Sequence, residues 1–575
     1  MQPNSFLIII SPGQEANVSN GPADYSDSGT SVAINIQNRK FIAFKSNDSG
    51  FAVYQGDRLQ EDPSYLEEKW RKGWDASVDN GVFIRYDKDL QRLTIESDFL
   101  GTEIIYYTRA EGRVFLSNRI ENIQEHVSLS PDFTGVRQFL QGAQTVAGRT
   151  CLKGLMKTRA LRKVSVNTAS LTVSDAPNGA WVVDRDLAPD PERLTELWRG
   201  LLDKAPPSVI MLSAGWDSRM LLSSNIERIV ATYSHGDLES REIRLVYRLA
   251  CSRAPTLIFK HLKTAPYQYD VIARMLDDLG HALFPHWYFA AEWCAQFTDA
   301  PLVGGIYAEH LSGQYGLTSL GSVGTKALNL LKGFFSPGRL SSLSEEEVRD
   351  SALGILDSPM KNPWFLNDQW NGIAREADEE NREDIVRTLS EYQAEGTTGL
   401  QEVFERYRLE QTQRQYYALQ TRCGIPFNGF SHPFADSSLS KASIEIPYEH
   451  RIQYKMSREI LARLDPTLLE FPLAATLVKA KAPVIVQEAS RGARIGLQSL
   501  ERALLGRRRV RLGWNDFQFL LNSGVFEGYL ETLKADLWDK KKMRSFVEGY
   551  SSRGGDAYSL LDMFGKILTV DHLIG

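Results

Sequence analysis

The stretch VIMLSAGWDSRMLL, residues 209–222, decides how this chain is read. Four apolar residues run into a Ser-Ala-Gly-Trp-Asp-Ser turn, and an apolar run then resumes. That order fits a buried strand feeding a helix. The flanks repeat the rhythm. PPSVIMLSAG, RIVATYSHG and TLIFKHL read as strands, and RMLLSS and SREIRLVYRLACSR as helices. Strands alternating with helices predict a parallel, doubly wound sheet. A helix leads in: Asp190 is its cap and Pro191 its first position, and Leu194, Leu197, Trp198, Leu201 and Leu202 share one face.

The chain before about Ala176 has another texture. SFLIII, RKFIAFK, FAVYQG, GVFIRYD, RLTIES, EIIYYTR and RVFLSN are short β-type runs broken by Gly, Asp, Asn and Ser. They predict an antiparallel, sandwich-like α+β domain. SDAPNGAWVVDRDLAPDP then reads as a linker. We therefore expect one domain over residues 1–180 and an α/β domain over 190–575. The latter turns mostly helical beyond about Leu340. LTSLGSVGTKALNLLKGFFSPGRLSSLSEEE reads as a Gly/Ser-rich insertion around an amphipathic piece. Its GSVGTK, ending at Lys326, does not satisfy the G-x-x-x-x-G-K-[ST] phosphate loop.

Bulk properties narrow the function class. The 575 residues carry a formal charge of −6, so no whole-chain attraction to nucleic acid or anionic membrane is expected. Cys151, Cys251, Cys294 and Cys423 stand far apart, with no C-x-x-C, which reads as a reducing compartment. MQPNSFLIIISPGQE has a short apolar run without a basic flank and reads as a strand rather than a signal peptide. No membrane span is expected, and the expected location is the cytoplasm.

In a doubly wound sheet ligands sit beyond the carboxyl ends of the strands, where residues 213–218 fall. Small residues there let backbone N–H groups approach an anion, and a helix N-terminus favours negative charge. Ser213 and Ser218 can donate to phosphate oxygens. Asp217 would repel a bare phosphate but suits one that shares a magnesium ion. The residues thus point to a pyrophosphate-plus-magnesium cradle. The competing reading is a tight turn in which Asp217 and Ser218 merely cap the helix.

LSAGWDS resembles the S-G-G-x-D-S pyrophosphate loop of asparagine synthetase-like amidotransferases, with Ala214 in place of one glycine. Further stretches fall in the family's order. GVFIRYDKDLQRLTIESDFLGTEIIYYT with RVFLSNRIENI is similar to the glutaminase-domain signature. ATYSHGDLESREIRLVYRLA is similar to the strand and helix after the loop. LVGGIYAEHLSGQYG is similar to G-E-G-A-D-E-L-F-G-G-Y, and NGFSHPFADSSLSKASIEIP to E-x-R-x-P-F-L-D…I-P. The resemblance covers nearly the whole chain. It implies an amidotransferase-type domain followed by an ATP pyrophosphatase domain that adenylates a carboxylate and passes it to a nitrogen nucleophile.

By matching, Ser213, Gly215, Asp217 and Ser218 would hold pyrophosphate and its metal. Leu212 and Ser234 would lie near adenosine, with Gly305 also against the nucleotide. Asp217 and Glu309 would share Mg2+. Lys455 matches the lysine opening the family's K-x-x-L-R helix. Lys479, with Lys481 beside it, is nearest to the lysine that stabilises adenylate formation, although the register fits poorly. Tyr307 stands beside Ile306, where the family has a glutamate, and is the candidate for the tyrosine that deprotonates an amine. Glu410 is a speculative partner for it, with a helix-pairing charge as the bland alternative.

The departures matter as much. The family's glutaminase needs an N-terminal cysteine after methionine removal, whereas this sequence reads Met1-Gln2-Pro3 and its first cysteine is Cys151. The family's N-G-E is at best Gln55, Gly56 and Asp57. The acidic and basic positions of E-x-R are Gly429 and Ser431. His281, His286 and His310 lie in the substrate half, where HALFPHWYFAAEWC reads as core packing or as an acceptor site. Arg507 to Arg511 form a short basic patch, solvated or facing an anionic partner.

The expectation is an AMP-forming amide ligase using ATP and Mg2+, with no glutaminase of its own. It would act on a small-molecule or peptide carboxylate, by macrocycle or β-lactam closure or by amidation of a sugar acid. A leader-peptide or pathway partner and a homodimer are compatible with it. The rivals are a non-catalytic binding or scaffold relative and a glutamine- or ammonia-dependent asparagine synthetase.

Overall fold

The computed structural model describes residues 4–575 apart from 12–23, 28–31, 38–40, 58–61, 63, 185, 255, 314, 316–343, 358–359, 361–362, 506–516 and 553–555. The insertion around Lys326, the basic patch 507–511 and the first three residues lie outside the described set. The fold is mixed α/β, with antiparallel sheets, a parallel sheet and many helices.

The antiparallel part contains β1 (Ser5–Ile10), β2 (Tyr25–Asp27), β3 (Val32–Gln37), β4 (Ile42–Asn47), β5 (Gly50–Gln55), β6 (Val82–Asp87), β7 (Arg92–Ser97), β8 (Tyr106–Ala110), β9 (Arg113–Ser117), β10 (Met156–Lys157), β11 (Arg162–Asn167) and β12 (Val173–Pro177). They form two sheets, ordered β10-β8-β9-β1-β3-β2 and β12-β11-β7-β6-β5-β4. Side chains alternate between faces along a strand, and β1 uses both. Phe6, Ile8 and Ile10 join Val53, Ile84, Ile95 and Val164 in the core between the sheets. Leu7 and Ile9 enter a second cluster with Val136 and Leu140 of helix Phe133–Gly142 and Ile567 and Val570 of helix Ala557–Ile574. A helix from the far end of the sequence thus shares a core with the first strand, a pairing that local periodicity cannot reveal.

The parallel sheet contains β13 (Ser208–Met211), β14 (Ile229–Gly236), β15 (Leu257–His261), β16 (Leu302–Val303) and β17 (Phe430–Ser431). Its order is β15-β14-β13-β16-β17, with every neighbouring pair parallel. The first strand in sequence lies centrally, so the winding reverses between β13 and β16, where such sheets bind ligands. Helix Pro191–Lys204 forms as its cap predicts, with the Asp190 carboxylate accepting from Arg193 N–H at 2.9 Å. Its Trp198 is fully buried, stacks on Phe434 at 4.4 Å, and donates from Nε1 to the Met220 carbonyl at 3.3 Å. It therefore braces the helix Trp216–Leu222 that follows the quoted turn.

Polar contacts join the antiparallel and parallel parts. Asn80 donates to Asp436 at 3.0 Å, Arg422 pairs with Glu103 at 2.6 Å, and Asp57 accepts from His432 N–H at 3.0 Å. Trp198→Ala removes the brace and leaves a cavity, so it should destabilise by about 3–5 kcal/mol. A denaturant titration followed by circular dichroism checks this.

Candidate active site

The quoted turn leaves β13 at Leu212, and the carbonyl side of that turn is fixed by a residue sequence reading overlooked. Arg219 is fully buried, with no carboxylate in its hydrogen-bond shell. Its guanidinium donates to the carbonyls of Ala214 (2.6 Å) and Gly215 (2.7 Å) in the turn. It also donates to Leu468 (3.2 Å), Phe471 (3.3 Å) and Pro472 (2.6 Å). The turn is closed internally as well. Ser213 N–H donates to Ser218 Oγ at 2.9 Å, the two hydroxyl oxygens are 2.9 Å apart, and Gly215 N–H donates to Ser213 Oγ at 3.2 Å. Ala214 N–H donates to Glu242 Oε1 at 3.4 Å, so a carboxylate already lies against the turn as an anion would.

Beside the turn is a cavity of about 330 Å³, a size suited to a small ligand or cofactor. Leu212, Ser213, Asp217, Ser218, Ser234, Gly305 and Glu309 line it. Sequence reasoning had placed all of these near nucleotide or metal. Gly215 caps the helix instead and does not line the cavity. Gly305 has a steric reason to be glycine: a Cβ there would stand 2.5 Å from Asp217 Cβ. That close approach brings the segment after β16 against the turn after β13.

Asp217 and Glu309 are the site's distinctive pair. Burial pushes Asp217 up to about 7. Burial, and then the charge of Asp217, push Glu309 up to about 8. Glu309 Oε2 is enclosed without a hydrogen-bond partner. Among the described residues no lysine or arginine pairs with either carboxylate. Two such groups facing each other favour a proton or a cation between them. This donor set fits Mg2+, which takes one or two carboxylates and fills its remaining positions with phosphate oxygens and water. Among the described residues no third His, Cys, Asp or Glu completes an all-protein metal cage.

The three catalytic candidates lie outside the cavity lining. Tyr307 is fully buried in a left-handed conformation (φ 74°), its ring edge-on to His432 at 5.5 Å. Its neighbour Ile306 lines the cavity instead. Lys455 opens helix Lys455–Leu464 and donates to the Glu449 carbonyl at 2.7 Å. Lys479 and Lys481 both pair with Glu470, at 2.9 and 2.5 Å, on the exposed surface. Glu410 is an internal charge, 3.5 Å from Arg159 and 3.9 Å from Arg406.

Tyr454, Arg458 and His235, which no spacing in the sequence singles out, lie around the turn and its cavity, together with His286 of the histidine- and aromatic-rich stretch. Tyr454 stacks on Trp216 at 5.5 Å, and burial together with the charges of Asp217 and Glu309 raises its hydroxyl. Arg458 lies 5.7 Å from the Trp216 ring, with Nε and Nη2 buried and unbonded. His235 and His286 line the cavity with ring centres 5.3 Å apart, and burial lowers both, so they are neutral imidazoles at pH 7. His310 serves packing: its Nε2 meets the Phe434 carbonyl at 2.6 Å.

No protein-family model matches this chain, and no curated protein matches it. Among solved structures it is similar to the glutamine phosphoribosylpyrophosphate amidotransferase from B. subtilis complexed with ADP and GMP. That likeness covers 45% of this chain and 75% of the other, at 8% identity and a TM-score of 0.19, and supports no argument about fold or activity. Among the described residues, no helix is long and apolar enough to cross a membrane.

The carboxylate pair predicts a pH signature. Both groups bind protons more tightly folded, with values of about 7 and 8, than unfolded, at about 4. Without divalent cations, this pair's own contribution to stability is therefore fullest below about pH 4 and declines as pH rises through about 8. Added Mg2+ should raise the unfolding midpoint chiefly above pH 7. Asp217→Asn should flatten the decline and abolish the Mg2+ effect, as read by scanning calorimetry across pH.

Proposed function

We propose that this chain is an ATP-dependent, AMP-forming amide ligase with an asparagine synthetase-like ATP pyrophosphatase site. The observation that carries the reading is the facing pair Asp217 and Glu309, raised and without a lysine or arginine partner among the described residues, beside a serine-lined turn at the switch point of a parallel sheet. In the first half-reaction a substrate carboxylate oxygen attacks the α-phosphorus of ATP, and pyrophosphate leaves. In the second, an amine nitrogen attacks the acyl carbon, and AMP leaves as the C–N bond forms and the nitrogen gives up a proton.

Asp217 and Glu309 would hold Mg2+, which neutralises charge on the phosphate oxygens when bound. Ser213 and Ser218 would turn their hydroxyls from each other to the pyrophosphate. Glu242 would give up the Ala214 N–H to a phosphate oxygen. Arg219 keeps the turn's carbonyls tied back, so that the approaching anion meets donors. Leu212 and Ser234 would flank the adenosine. Arg458, against the Trp216 ring with Nε and Nη2 unbonded, is a better candidate for transition-state charge than Lys479 or Lys455, whose ammonium groups are already engaged.

The amine would not come from glutamine in this chain. Burial pushes the Cys151 thiol up to about 12, which keeps it protonated, and Gln55 and Asp57 are engaged by Glu103 and His432. The acceptor is then ammonia or an amine of the substrate itself, as in closure of a peptide or β-lactam ring or amidation of a sugar acid. One observation favours a second reading, a non-catalytic relative: the turn's N–H groups are satisfied within the protein. ATP–pyrophosphate exchange with candidate acids separates the two. The ligase reading expects exchange that falls at least a hundredfold in Asp217→Asn and Glu309→Gln. No exchange with any acid, and no ATP bound in calorimetry with Mg2+, would favour the binding relative.

A further inference from the structure

A second cavity, about 190 Å³, lies where the antiparallel sheets meet the helices after residue 400. It does not share the ATP-type cavity's lining. Its polar wall comes from both parts of the chain: Gln55, Glu103 and Lys157 on one side, and Arg414, Gln415 and Arg422 on the other. Ile104, Phe139, Leu419 and Phe430 supply apolar surface between them.

The chain treats buried cations elsewhere in a consistent way. Arg451 makes a two-pronged pair with Glu405 at 2.5 and 2.6 Å. Arg149 meets Asp132 and Asp384, Arg162 meets Asp175 and Glu395, Arg406 meets Glu395, and in the cavity wall itself Arg422 meets Glu103. Arg219 lacks a carboxylate, but carbonyl oxygens take up all three of its nitrogens.

Lys157 and Arg414 break the pattern. Lys157, at the end of β10, is 7% exposed and donates to two neutral oxygens, Thr145 Oγ1 at 2.5 Å and Gln415 Oε1. Its third hydrogen has no protein acceptor among the described residues. Arg414, 1% exposed, donates from Nε to the Gly101 carbonyl and from Nη2 to the Glu103 carbonyl (3.3 Å) and Thr158 Oγ1 (3.5 Å). Its Nη1 has no hydrogen bond among the described residues. No carboxylate stands within ion-pair distance of either group among those residues. The charges of Glu410 and Asp98 reach Arg414 only from beyond ion-pair distance, and two buried cations beside one cavity without a direct carboxylate partner cost stability unless an anion is supplied.

We propose that this cavity binds a small organic carboxylate of amino-acid size, its acid group bridging Lys157 and Arg414. Burial, with Arg414 nearby, lowers Lys157 to about 7, as expected for an ammonium lacking a counter-ion. The occupant would also be felt at the first site. The π-helical segment Arg408–Tyr417 and the short helix Leu419–Arg422 after it present Arg414, Gln415 and Leu419 to this cavity and Tyr417 and Gln420 to the other. One wall therefore borders both.

The test uses the full-length protein with succinate, L-glutamate and 2-oxoglutarate as probes, and neutral succinamide and inorganic phosphate as controls. At least one of the acids should titrate by calorimetry and raise the unfolding midpoint, while succinamide and phosphate do neither. Lys157→Met should weaken that acid at least tenfold, yet unfold no earlier than the parent without ligand, because it removes an uncompensated charge. Arg414→Gln should weaken the acid similarly and decides the matter if Lys157→Met fails to fold. The proposal is overturned if none of the acids titrates, if phosphate or succinamide binds as well as the acids, or if the variants that fold bind the acid as tightly as the parent.

Discussion

Everything proposed for the nucleotide site depends on one guanidinium. Arg219 gathers carbonyls from the turn after β13 and from the distant segment 468–472. A carbonyl facing the cavity would repel phosphate, so tying these oxygens back decides the sign of the turn's field. A lysine could not substitute, since the fork geometry reaches several acceptors at once. The same contact fixes the carbonyl oxygens of Phe471 and Pro472, just ahead of Lys479 and Lys481. It explains why those lysines are held on the surface against Glu470 rather than over the cavity.

The two cavities illustrate opposite imbalances of buried charge. Among the described residues, one has a carboxylate pair without a lysine or arginine partner, and the other has two cations, Lys157 and Arg414, without an ion-pair partner. In the rest of the interior the described charges are largely matched, as Arg451–Glu405 and Arg149–Asp384 illustrate. Matched pairs orient the fold, and unmatched sets mark where something else is expected to bind.

Much of this was legible in the sequence wherever the signal was local. The unbroken apolar run in SFLIII, the Asp190–Pro191 cap and the apolar run 209–212 each specify an element without tertiary help. The cavity residues from Leu212 to Ser234, with Gly305 and Glu309, were legible through motif order. What stayed hidden was non-local or too short to carry a period. β16 and β17 are two residues each, and they exist because β13 offers a ladder to β16 and β16 offers one to β17. The π-helical segment 408–417 looks like any polar amphipathic helix in sequence. Tyr454 comes near the carboxylate pair, and Arg458 near Trp216, only because helix Lys455–Leu464 and the residue before it pack over Trp216. Tyr307 was misplaced for a geometric reason: its positive φ turns the ring towards His432 and leaves Ile306 in the cavity wall.

The shared core of β1 with helix Ala557–Ile574 constrains how the chain can be made. Leu7 and Ile9 wait on partners such as Ile567 and Val570 before their face of the sheet is complete. At about 5–20 residues per second, synthesis leaves that face open for roughly half a minute to two minutes. During that interval a nascent chain carries a sticky, half-finished sheet out of the ribosome. Its cellular yield therefore depends on what shields that sheet in the meantime.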